Sequence, residues 1–77
     1  MRYFVNKTKL NKKEFYELLN NIINQYVDEF FNDDNIKIEE YKYQLENSKK
    51  LLDNNEKVVY NGFEFKVENN YGKKKRN

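Results

Sequence analysis

Side chains able to carry chemistry are few in this sequence and of a narrow kind. It has no Cys and no His, one Ser (Ser48) and one Thr (Thr8). Nucleophilic catalysis needs an activated nucleophile, a base to take its proton and usually a third group to orient that base. Ser48 falls on the expected packing face of a helix, where a small residue lets neighbouring elements approach. Thr8 falls just ahead of a helix, where a hydroxyl bonds local backbone groups. One carboxylate spacing has the logic of metal-assisted hydrolysis: Asp53, then Glu64-Phe65-Lys66. Strand alternation places Glu64 and Lys66 on one face, where carboxylates would hold Mg²⁺ and the lysine would position a water. A solvated hairpin face accounts for the same residues in a chain that is 36% charged. The Asp33-Asp34 pair lacks the spaced ligands and mid-loop Gly of a Ca²⁺ loop, and favourable charge at a helix N-terminus explains it better. The sequence therefore predicts no catalytic, cofactor or metal site, and no enzyme.

The Asp53 and Glu64-Phe65-Lys66 spacing resembles the acidic residue and Glu-x-Lys of the PD-(D/E)xK nucleases. The resemblance covers only about 14 residues. That family's core takes more strands than 77 residues readily supply.

Binding is the remaining class. The group Asp28, Glu29, Asp33 and Asp34 is suited to occupy a basic channel on a partner protein, with Tyr16 and Tyr43 as aromatic anchors. The competing reading is nucleic-acid binding. Arg2, Lys7, Lys9, Lys12 and Lys13 make the start basic, Lys73, Lys74, Lys75 and Arg76 make the end basic, and aromatic content is 17%. Lys and Arg neutralise phosphates, and exposed Tyr stacks on bases. Most of the aromatics nevertheless recur at core spacing, and no Gly-rich phosphate loop is present.

These residues must be positioned by a small set of elements. Asn11 is a strong N-cap, Glu14 stands where it reaches back to the cap amide, and Leu10 and Phe15 occupy the two staple positions. Phe15, Leu18, Leu19, Ile22, Ile23, Tyr26, Val27, Phe30 and Phe31 then follow helical spacing, over an arc wide enough for two neighbours. Either a second copy of the chain covers that surplus as a homodimer, or the monomer covers it internally. Asn32-Asp33-Asp34-Asn35 ends this helix. Ile38, Tyr41, Leu45, Ser48 and Leu52 predict a second helix over 38–53, with Tyr43 opposite its apolar stripe and exposed. Asn61-Gly62 between Lys57-Val58-Val59-Tyr60 and Phe63-Glu64-Phe65-Lys66-Val67 predicts a type I′ hairpin. Its register pairs Tyr60 with Phe63, Val58 with Phe65 and Glu56 with Val67 on one face, and Val59 with Glu64 and Lys57 with Lys66 on the other. A third strand from Tyr3, Phe4 and Val5 completes a sheet. The fold class is α+β, of order β-α-α-β-β: a three-stranded antiparallel sheet with a C-terminal hairpin packed on two helices. Residues 1–70 form the domain, and 71–77 are a basic disordered tail.

Seventy-seven residues support one core, not two. The apolar runs fall far short of a membrane span, and Met1-Arg2-Tyr3-Phe4-Val5-Asn6-Lys7 turns polar too soon for a signal peptide, so a cytoplasmic protein is expected. Setting aside the four cations of 73–76, residues 1–72 hold 11 basic against 13 acidic side chains, a mildly acidic body. The 14 Asn and the absence of Ala and Pro match AT-rich codon usage.

The opening Arg2 to Lys7, the Lys-Glu-Phe-Tyr-Glu-Leu-Leu helix and the late Asn-Gly hairpin resemble short phage-encoded or prophage-encoded proteins of AT-rich bacteria. Many of these, anti-CRISPRs among them, block a host defence protein by stoichiometric binding. The resemblance implies an inhibitor or adaptor of a nucleic-acid-handling host complex. It spans most of the chain but contains no diagnostic motif, so no family residue is carried over.

Overall fold

The computed structural model describes residues 1–68. In chain order its elements are β1 (Arg2–Val5), β2 (Thr8–Leu10), α1 (Lys12–Phe30), α2 (Asp34–Asp53), β3 (Val58–Tyr60) and β4 (Phe63–Glu68). The strands form one antiparallel sheet in the order β2-β1-β4-β3, and both helices pack on one of its faces. The α+β class matches the sequence expectation, with one strand more than expected. Residues 69 and 70 of the expected domain, and the tail 71–77, lie outside the described residues.

The added strand is β2, which places Thr8 in a sheet and not in the turn before a helix. Asn6 and Lys7 take φ of 49° and 70°, and this tight turn pairs Val5 with Thr8, Phe4 with Lys9 and Tyr3 with Leu10. Both residues at positive φ give the turn the twist that a two-residue hairpin requires. Asn6 also extends the β1–β4 ladder: its N–H donates to the Glu64 carbonyl at 2.9 Å, and its Oδ1 accepts from the Glu64 N–H at 2.9 Å.

The second hairpin follows the expected register where it is paired. Asn61 and Gly62 have φ of 49° and 82°, and Tyr60 faces Phe63, Val59 faces Glu64 and Val58 faces Phe65. Pairing stops there, so Glu56 does not reach Val67, nor Lys57 Lys66. On the other edge of β4, Val67 pairs with Tyr3 of β1 and Lys66 with Phe4. The cause is the end of α2. Asn55 sits at φ 64°, its N–H donates to the Leu52 carbonyl, and the Glu56 N–H donates to the Leu51 carbonyl. This helix-terminating bond pair ties residues 55–56 to the helix and away from the ladder.

The capping box of α1 is present, with Glu14 N–H on Asn11 Oδ1 at 2.8 Å and Asn11 N–H on Glu14 Oε1 at 3.4 Å. Phe15, Leu19, Ile22, Ile23 and Val27 are buried along its core face. Phe15 meets the rings of Tyr3, Tyr16 and Phe65 at centroid distances of 5.2, 5.1 and 5.6 Å. The same cluster takes Tyr3, Val5, Val58, Phe65 and Val67 from the sheet and Leu52 from α2. Much of α1's wide arc is thus covered from within the chain.

Helix α2 begins at Asp34, four residues before the expected start. Asp33 caps it, its Oδ1 accepting from the Asn35 N–H at 2.8 Å and the Ile36 N–H at 3.3 Å. Only Ser48 and Leu52 of α2 are buried, both in its second half, and Ile38, expected in the apolar stripe, is exposed. A helix of 20 residues is about 30 Å long, whereas strands of three to six residues span about 10–20 Å. The two helices therefore overhang the sheet, and the molecule measures 48 × 22 × 19 Å.

Candidate functional site

The overhanging end of the helical pair joins the last turns of α1 to the first turns of α2. Phe30, Ile36 and Ile38 are 62%, 49% and 57% exposed there. All three stand beyond the reach of the sheet. Phe31 turns inward as the α1 cap, its N–H on the Val27 carbonyl at 3.0 Å, and packs half-buried against the core. Phe30 keeps one aromatic contact, 4.9 Å from Tyr26, whose ring in turn meets Tyr60. Between the helices a shallow cleft of about 220 Å³ is lined by residues that include Val27, Asp28, Lys37, Ile38 and Tyr41.

The same end holds the four carboxylates singled out in the sequence, in two different roles. Asp33 and Asp34 serve the fold, one as N-cap and the other in the first turn of α2, where negative charge complements the helix dipole. Asp28 and Glu29 stand in the last turn of α1, where negative charge opposes the dipole, and no basic residue occupies that turn. Asp28 has partial compensation from Lys37 across the helix pair, Nζ to Oδ1 at 3.1 Å. Among the described residues Glu29 has no cation within ion-pair distance. Folding alone favours neither an acidic last turn nor three exposed apolar side chains beside it.

The two aromatic anchors expected with this group are not brought to it. Tyr16 lies twelve residues before Asp28 on α1, about 18 Å along the axis, at the other end of the molecule. It is half-buried, edge-on to Tyr3 at 6.0 Å, with Lys49 Nζ 5.8 Å from its ring centroid. Burial raises the Tyr16 hydroxyl above its ordinary pKa, and Tyr3 and Asp53 add to the rise. Tyr16 is a packing residue here, drawn in by the Phe15–Tyr3 cluster. Tyr43 is 62% exposed, as the helical periodicity predicts, but it stands nine residues along α2 from Asp34. The sequence reading missed Phe30, Ile36 and Ile38, assigning Phe30 and Ile38 to the core.

The residues of the nuclease-like spacing are divided between two faces. Asp53 lines a depression with Lys12, Tyr16 and Lys49 on the helical side, while Glu64 and Lys66 line a cleft on the open face of the sheet. Among the described residues no three potential metal ligands converge.

Ser48 is more than a small packing residue. Its Oγ lies 3.2 Å from the Tyr60 hydroxyl, which donates to Gln44 Oε1 at 2.6 Å, and Gln44 Nε2 donates to Glu40 Oε1 at 3.0 Å. Burial raises the Tyr60 pKa; the Ser48 hydrogen bond offsets part of this, and Tyr26, Glu40 and Tyr43 add to it. A hydroxyl held protonated in this way is a structural clamp fastening the β3–β4 hairpin to α2.

Among the described residues no helix is long and apolar enough to cross a membrane. Lys73, Lys74, Lys75 and Arg76 lie outside the described residues. Comparison of the chain with protein-family models, with curated proteins and with solved structures finds no match.

Proposed function

We propose that this chain acts by stoichiometric binding to another protein, as an inhibitor or adaptor of the phage type its sequence resembles, with the helical tip as the contact surface. The observation that carries the reading is the pairing, in one place, of exposed Phe30, Ile36 and Ile38 with the dipole-opposed carboxylates Asp28 and Glu29. Local rules broken without benefit to the fold concentrate at functional sites. An apolar centre rimmed by one sign of charge is the anatomy of a protein interface, and acidic rims favour basic partners, including the nucleic-acid channels of a cytoplasmic host complex. Tyr43 lies along α2 from the tip, at the margin of such a contact.

The test compares two baits. The immobilised chain and its Ile38→Ser/Glu29→Lys variant are incubated with host lysate at low salt, and bound proteins are eluted by a salt gradient. The reading expects a protein held by the first bait, released as ionic strength rises, and absent from the second. Identical capture by both baits, or none by either, overturns it.

A further inference from the structure

The helices cover one face of the sheet, and the other is open. Strand alternation and the observed register place Arg2 and Phe4 of β1, Lys9 of β2, Val59 of β3 and Glu64, Lys66 and Glu68 of β4 on it. Phe4 occupies its middle, paired with Lys9 on one side and Lys66 on the other. Directly opposed side chains on neighbouring strands stand about 5 Å apart at Cβ, so one aromatic ring is flanked by two ammonium-bearing stems in a single row. A cleft of about 240 Å³ opens over the ring, lined by Phe4, Lys7, Glu64, Lys66 and Glu68.

The charges on this face are unequally satisfied. Both carboxylates have cations, Glu68 with Arg2 at 3.3 Å and Glu64 with Lys57 at 3.8 Å. Lys7, Lys9 and Lys66 have no carboxylate within ion-pair distance among the described residues; Lys66 Nζ meets only the Asn55 carbonyl, at 3.4 Å. An aromatic ring on the open face would be better replaced, for solubility alone, by a polar residue. Here it is bracketed by cations whose charge is unspent.

We infer that this open face binds single-stranded nucleic acid, a base stacking on Phe4 while Lys9, Lys66 and Lys7 take the adjoining phosphates. Ring and cations together select the ligand. A polycarboxylate such as poly-glutamate would use the lysines but has no π-face for the ring, and a duplex keeps its bases stacked inside, away from a shallow cleft. Phe4 is half-buried, with its accessible part lining the cleft, and a base stacked on an aromatic beside a basic track is how sequence-tolerant single-strand binding is built.

The experiment is fluorescence anisotropy of labelled ten-nucleotide oligo(dT) and oligo(U) with the full chain across a salt series. Three variants are compared: Phe4→Leu, which keeps an apolar side chain without the ring; Lys9→Gln/Lys66→Gln; and a chain ending at residue 72. Circular dichroism establishes that each is folded. We expect binding by the parent chain, weakened at least about 5-fold by Phe4→Leu. The lysine pair should flatten the slope of log affinity against log salt by about 1.4, two phosphates at about 0.7 each. The chain ending at 72 should still bind and retain its sensitivity to Phe4→Leu. Three results overturn the inference: no binding at low salt, binding lost with residues 73–77 but indifferent to Phe4 and the lysine pair, or equal displacement by poly-glutamate. The tip variant Ile38→Ser/Glu29→Lys should bind oligonucleotide as the parent does, so failure here is separable from failure of the protein-binding reading.

Discussion

Replacing Glu29 should stabilise the fold. Glu29 stands one residue from the end of the 19-residue α1, exposed and without an ion-pair partner among the described residues, where the helix carries partial negative charge. A carboxylate in a last turn costs about 0.3–1 kcal/mol at low ionic strength. Glu29→Gln removes that cost; Glu29→Lys inverts it, for a total gain of about 0.6–2 kcal/mol. In a domain of this size 1 kcal/mol moves Tm by about 4–8 °C, so Glu29→Lys should melt roughly 3–15 °C higher. Asp28 supplies the control. Asp28→Asn relieves the same dipole repulsion but breaks the 3.1 Å pair with Lys37, worth about 0.2–1 kcal/mol at an exposed site, so its Tm should barely move. The assay is thermal unfolding by circular dichroism in 10 mM and 1 M salt. The Glu29 gain should shrink in high salt, because screening shortens the reach of the charge to about 3 Å. A lower Tm for Glu29→Gln, or equal shifts for Glu29→Gln and Asp28→Asn, would refute the reasoning. The acid would then serve the fold, and the argument that the tip exists for a partner would lose its main support.

Tyr60→Phe leaves the buried Ser48 Oγ and the Gln44 carbonyl without the phenol, and should cost about 1–3 kcal/mol in urea unfolding; adding Ser48→Ala should recover part of it. Because the folded state holds the Tyr60 and Tyr16 pKa values above the ordinary 10.0, the unfolded chain loses those protons first. The tyrosine contribution to stability should therefore be level below about pH 10 and be lost as pH rises beyond it, less steeply in Tyr60→Phe. Asp33→Ala removes the acceptor for two amides of α2 and should cost about 0.5–2 kcal/mol by thermal melt. Lys7→Gly relieves a side chain at φ 70° and should stabilise the first hairpin by up to about 1 kcal/mol, read by the same melt.

Why the two hairpins differed in legibility is instructive. Both turns place two residues at positive φ, but Asn61-Gly62 advertises this, since glycine enters that region freely, whereas Asn6-Lys7 hides it behind a lysine that normally avoids it. Three residues, Thr8-Lys9-Leu10, are also too few to show alternation. For α2 the cap signal at Asp33 was present, yet Ile36-Lys37-Ile38 alternates as a strand does. The conflict arises because both isoleucines lie on the overhang, where no packing imposes helical periodicity. The carboxylates of the tip were visible as charge. Their apolar companions were not, because Phe30 continues the core stripe in sequence and leaves it only where the helix outruns the sheet.

The middle of the sheet is made by β1 and β4, with Arg2 beside Glu68 and Val5 beside Phe65. A nascent fragment lacking residues 65–68 cannot close that pairing, and its Phe15 has Tyr3 and Tyr16 to pack on but not the ring of Phe65. The sheet therefore closes only once β4 has emerged. Until that moment the core face of α1 is only partly covered, and what remains is available to chaperones or to any protein that captures nascent helices.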